Sequence, residues 1–126
     1  MRSGPDRLSA FAREHRLPLV CSNVIDRAAG RHPLPREIVR DLEGVETASG
    51  SRGFVRVGVA SVVLPAFVYR LEPAGAARYE VTDQRLAALE SVERLRSRGC
   101  HLVVVLSHLG WRESLALARE VPGIDI

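Results

Sequence analysis

The sequence predicts an α/β domain, and three observations carry that reading. Leu102 to Leu106 is an unbroken apolar run, rich in β-branched residues and too short for a buried helix. It reads as a strand covered on both faces, of the kind found inside a parallel sheet with helices packed against it. Helical patterns flank it on both sides, one ending at Gly99 and one running from about Glu113 to Val121. Upstream, Phe54-Val-Arg-Val-Gly-Val-Ala60 places three valines at spacing two, the period of a strand.

Taken in order, Asp6 to Arg16 has the makings of a short helix, with Leu8, Phe11 and Ala12 as its apolar face. Leu17 to Asn23 reads as a strand that starts after Pro18, and Asp26 to Pro35 as a loop punctuated by Gly30, Pro33 and Pro35. Glu37 to Leu42 alternates weakly and suits an edge or hairpin strand. Joined to Phe54–Ala60 across a Gly44–Gly53 turn region, it makes a hairpin. Val62, Val63 and Leu64 extend that second strand until Pro65 stops it. Phe67 to Leu71 suits a short further strand, and Pro73 and Gly75 a surface excursion. Thr82 or Asp83 is a good N-cap for a helix that carries Leu86, Leu89, Val92 and Leu95 inward and stops at Gly99. After the second helix, halted by Pro122 and Gly123, Ile124 to Ile126 read as the opening residues of another strand.

Composition bounds the function classes. At 126 residues there is room for one domain and one modest core. All 18 basic residues are arginine, which excludes lysine-dependent chemistry such as a P-loop or a Schiff base. A net charge of +3 spread among 15 acids, with few aromatics, argues against a nucleic-acid stacking platform. No apolar run approaches the roughly 20 residues of a membrane span. The polar N-terminus carries no signal-peptide pattern, so localisation stays open. Cys21 and Cys100 each abut an apolar run, outside any Cys-x-x-Cys spacing, and are expected to be buried thiols.

The chemistry-bearing residue is His108. It follows the Leu102–Leu106 run directly, where ligands of open α/β sheets collect. Taken alone it is either a hydrogen-bonded residue that ties the turn together or a ligand or acid/base. His15 and His32 show no partner spacing, and His101 lies at the other end of the strand, so none of them completes an ion site with it. Ser107 is no convincing nucleophile, because strand neighbours point to opposite faces and no Gly-x-Ser-x-Gly elbow surrounds it. No residue is assigned a catalytic role.

Val103-Val-Val-Leu-Ser-His-Leu-Gly110, followed by Val121-Pro-Gly-Ile-Asp125, resembles the calcineurin-like metallophosphoesterases, and within them the 5′-nucleotidase branch. Leu17–Val24, Gly53–Ala60 and Leu95–Gly99 fit the same pattern in order. The resemblance implies a partial four-layer α/β/β/α sandwich, with residues 1–126 as a single partial domain from the middle of a catalytic domain, incomplete at both ends. It implies two divalent ions, manganese, zinc or similar, that activate a water and stabilise phosphoryl oxygens, and a phosphate ester or nucleotide as substrate. His108 matches the histidine of the family's Ser-His block and is thereby implied to be a metal ligand. The family's Asp-x-His, Gly-Asp, Gly-Asn-His and Gly-His-x-His blocks are not in these residues, and Ser22-Asn23 is not one of them. The isolated chain is therefore expected to hold no ion firmly and to be inactive. Nucleic-acid and membrane-spanning roles are not expected. The alternative is a non-catalytic α/β binding or scaffold module that has lost the metal blocks.

Overall fold

The computed structural model describes residues 4–46, 48–66 and 77–126. Helix α1 (Gly4–Glu14) is followed by strands β1 (Val24–Asp26), β2 (Glu37–Glu46), β3 (Arg52–Val63) and β4 (Tyr79–Val81). Helix α2 (Gln84–Ser97), strand β5 (Leu102–His108) and helix α3 (Trp111–Glu120) complete the order. The strands form two sheets: β1 with β4, and β2-β3-β5. The expected strand at Phe67–Leu71 and the excursion at Pro73 and Gly75 lie outside the described residues.

The larger sheet is mixed. β2 and β3 form the expected antiparallel hairpin, with β2 at the edge, and β5 pairs with β3 in parallel from Val57↔Leu102 to Val63↔His108. The hairpin strands run further than their alternation suggested, so the Gly44–Gly53 turn region shrinks to a tip between Glu46 and Arg52. Gly44, at φ +71°, sits instead at a register shift between Glu43 and Val45. A bulge takes a left-handed residue at low cost only when it is a glycine.

Helix α2 starts at Asp83, whose carboxylate accepts the Leu86 N–H at 2.7 Å, and ends before Gly99 at φ +75°. Its buried side is Ala87, Ala88, Ser91, Val92 and Leu95. Leu86 was expected inward but is exposed. The small residues Ala88 and Ser91 are buried, and toward the end of the helix Leu95 seats on Gly58. A Cβ on Gly58 would come within 2.7 Å of the Leu95 side chain, so only glycine admits Leu95 there. Glu37 ties the same contact, accepting from Ser91 Oγ at 2.9 Å and from Arg94. The core joins Ala60, Val62, Val103, Leu95 and Val92 to Leu109, Leu117 and Val121 of the α3 region.

The opposite face of the sheet is uneven. On β3 the alternation turns Val57 and Val59 away from α2, and both are only half-buried. On β5, Leu102 and Val104 are half-buried and Leu106 is exposed. The expectation that β5 is covered on both faces therefore fails: Val103 alone is fully buried, and the strand's end is exposed on both sides.

Leu17–Asn23 is not a strand. Pairing begins at Val24; before it the chain meets β3 through one backbone bond, Ser22 N–H to Ser61 O at 2.8 Å, and otherwise through side chains. Ser22 Oγ accepts the Ser61 N–H at 3.2 Å, and Asn23 exchanges two bonds with Val63, its Oδ1 accepting from the N–H and its Nδ2 donating to the carbonyl, each 2.9 Å. Both residues are fully buried in this role. In α1, Ala12 is buried as expected while Leu8 and Phe11 are half-exposed. The helix is held by polar ties instead: Ser9 Oγ donates to Pro33 O at 3.0 Å, and Asp6 receives Arg78 at 2.6 Å. Arg78 also clasps Asp26, whose carboxylate is nearly buried and caps the following turn at Ala28 and Ala29. This guanidinium holds the Asp26 carboxyl below its ordinary range. Cys21 and Cys100 are both free and buried, and burial pushes the Cys21 thiol up.

Finally, Ile124–Ile126 lie along the free side of β5. Asp125 N–H donates to Val103 O at 2.9 Å and Val105 N–H to Ile126 O at 2.8 Å, the pattern of an opening strand. No described helix is long and apolar enough to cross a membrane.

Candidate metal centre

His108 is the last residue of β5, opposite Val63 in register. Strand alternation puts Ser107 on the side of α2 and α3 and His108 on the face those helices leave open. The imidazole is exposed, not packed among aliphatic groups. The strand beneath it is anchored by Val103, with no exposed surface, and the residue after it, Leu109, turns back into the core at 3% exposure. The backbone carrying the ring is thus fixed on both sides while the ring itself reaches solvent.

Gly110 makes the turn into α3 with φ +99°, a conformation that side-chain-bearing residues resist. The α3 N-terminus has no side-chain cap. Instead Ser114 supplies two bonds to the Gly110 carbonyl, from its N–H at 3.0 Å and from its Oγ at 2.6 Å. Ser107 Oγ stands 2.8 Å from Ser114 Oγ. Ser107 is therefore engaged with another hydroxyl, and its position on the face opposite His108 removes the nucleophile–base reading on geometry. The strand also runs through Ser107 and His108, so the turn is shorter than the Ser-His-Leu-Gly stretch suggested. This hydroxyl pair escaped sequence reasoning; its only signal is a serine four residues after the turn glycine.

The other histidines are elsewhere. His101 lies beyond the start of β5, roughly 23 Å of strand away, where its Nδ1 accepts the Arg56 N–H at 2.9 Å and its ring meets Phe54. His15 stacks on Phe11 along α1. His32 sits in the loop before β2, where burial and the neighbouring Arg36 hold it below its ordinary range. Among the described residues, no three His, Cys, Asp or Glu side chains converge as an ion site. One imidazole does not fix a catalytic ion, which takes three or more protein ligands. By themselves the described residues do not fit a resident metal.

No family model matches the chain. Its sequence is 30% identical over 92 residues to the endonuclease YhcR of Bacillus subtilis, a span covering 73% of this chain and 7% of that protein. Its fold matches a 5′-nucleotidase precursor from Thermus thermophilus with a TM-score of 0.71 at 27% identity, over 95% of this chain and 22% of that one. It matches the calcineurin-like phosphoesterase YfkN of Bacillus subtilis with the same TM-score at 20% identity, over 86% of this chain and 35% of that one. The chain thus spans between 7% and 35% of the length of these three proteins.

The mixed sheet and its helix-covered face make up part of an α/β sandwich of the kind these phosphoesterases have. More narrowly, the chain has the fold of a section of the calcineurin-like phosphoesterases, a fold it shares with the 5′-nucleotidase above.

Proposed function

We propose that this chain is the part of a metal-dependent phosphoesterase that contributes His108 as one ligand of a two-ion centre, and that the complete protein hydrolyses phosphate esters of nucleotides. The observation that carries the reading is the exposed imidazole at the carboxyl end of a parallel strand, on the sheet face without helices. That face, lined by Val57, Val59, Val104 and Leu106, is where the second sheet of the sandwich packs in this reading. The remaining ligands come from polypeptide outside these residues. The ions supply water activation and charge stabilisation at the phosphoryl group; the part of these residues is to hold one imidazole at a fixed strand end and keep the sheet beneath it dry. The likeness to a 5′-nucleotidase favours mononucleotides.

The test is hydrolysis of p-nitrophenyl phosphate, AMP and single-stranded DNA with manganese, by the chain alone and by the longest reading frame that contains it. The chain alone is expected to give no turnover above a metal blank. The longer polypeptide is expected to hydrolyse AMP and to lose at least about 100-fold in kcat on His108→Asn, the scale seen when one group acting only on the transition state is removed. Unchanged kcat in His108→Asn sinks the metal role. Cleavage of DNA without AMP hydrolysis sinks the mononucleotide assignment.

A further inference from the structure

We infer that Ser107 and Ser114 are positioning residues for His108: their hydroxyls form a clamp that locks the β5–α3 turn and so fixes the direction in which the imidazole is presented. The inference rests on the reading of His108 as a ligand. A serine hydroxyl has one proton to give. In Ser114 it goes to the Gly110 carbonyl at 2.6 Å, so the proton between the two hydroxyls comes from Ser107 and is accepted by Ser114 at 2.8 Å. The bonds run one way, from Ser107 to Ser114 to the Gly110 carbonyl, and close a ring through the backbone of residues 107–110.

That ring spans the weakest link in the segment. Gly110 holds φ +99°, which glycine can leave freely, and α3 has no side-chain cap to fasten its first turn. A Ser hydroxyl bonded to the carbonyl four residues back ordinarily does little for a helix. Here the same bond, extended to Ser107, ties the helix start to the strand end. Because Ser107 lies on the helix side of β5, the clamp grips the backbone from behind and leaves the His108 side open. Pairing with Val63 holds the other edge. With the backbone gripped from both edges, the Cα–Cβ direction of His108 is fixed, and that limits which rotamers reach past the strand end.

The measurement is the pair of three-bond couplings from N and from C′ to Cγ of His108, read by NMR on the labelled chain without metal. It is therefore independent of the turnover test. The unsubstituted chain and Ser114→Thr, which keeps the hydroxyl, are expected to show a single χ1 rotamer. Ser107→Ala and Ser114→Ala are expected to show averaged couplings and about fivefold or faster amide exchange at Ser114, with Leu95 and Val103 exchange unchanged. A merely structural serine would move those core amides and leave the rotamer alone. Should Ser114→Ala unfold the chain, Ser107→Ala, which leaves the bond to Gly110 in place, decides. Averaged couplings in the unsubstituted chain, or unchanged ones in the alanine variants, overturn the proposal.

Discussion

The two faces of the β2-β3-β5 sheet are made of different residues, and the contrast runs against simple hydrophobicity. The face under α2 is lined on β3 by Gly58, Ala60 and Val62, all buried, and at Gly58 and Ala60 it is made of small residues. The other face carries Val57 and Val59, larger than the Gly58 and Ala60 between and beside them, with Leu102, Val104 and Leu106, and is half-exposed or open. Small residues are found where a helix backbone must come close, and large ones where a partner stands further off, as a second sheet would at about 10 Å. A row of valines and leucines left half-wet is surface shaped for cover.

The comparison breaks most sharply at Leu95, which has no exposed surface and seats on Gly58. Leu95→Ala is expected to cost about 2–5 kcal/mol in urea unfolding, against less than about 1 kcal/mol for Leu106→Ala in the same chain. Equal costs would mean that the two faces do not differ. Gly58→Ala sharpens the point from the sheet side. Its Cβ would lie 2.7 Å from Leu95, and a loss of about 1–3 kcal/mol is expected; a neutral result would show that Leu95 has room to move.

Acid makes the gentlest test, through the ion pairs around the helix-covered face. Arg36 holds Glu90 low, Arg56 holds Asp41 low, and the Val103 N–H, with Arg96, holds Asp125 low. Groups depressed in the folded state bind fewer protons there than when unfolded. Their contribution is therefore present in full above the ordinary carboxylate value of about 4, and is lost as pH falls through the depressed folded values. Urea midpoints are expected to begin falling below about pH 6.5, where His32 resists the proton that an unfolded histidine takes, and to decline further below about pH 4. A rise in stability on acidification would reverse the sign and refute the assignment.

Much of this architecture was legible because its signals are local. The β-branched run at 102–106, the Asp83 cap and the Gly99 stop each specify their element within a few residues. What stayed hidden depends on partners far along the chain. Leu17–Asn23 has strand composition, yet Ser22 and Asn23 bond through side chains to Ser61 and Val63, about 40 residues away. The inward side of α2 was misjudged at Leu86, in the first turn, where the small Ala87 and Ala88 are the buried residues and the leucine is exposed. His108 stands at the strand end as expected, whereas the Ser107–Ser114 bond became visible only once the turn geometry was known.

The Arg78 guanidinium is the shared counter-ion of Asp6, at the start of α1, and of Asp26, at the end of β1, and it belongs to neither element. Taking that charge away would leave two carboxylates crowded at one spot, one of them shut off from water, so that a fastening becomes a repulsion. The N-terminal helix is thus attached by a rivet whose loss would push the plates apart.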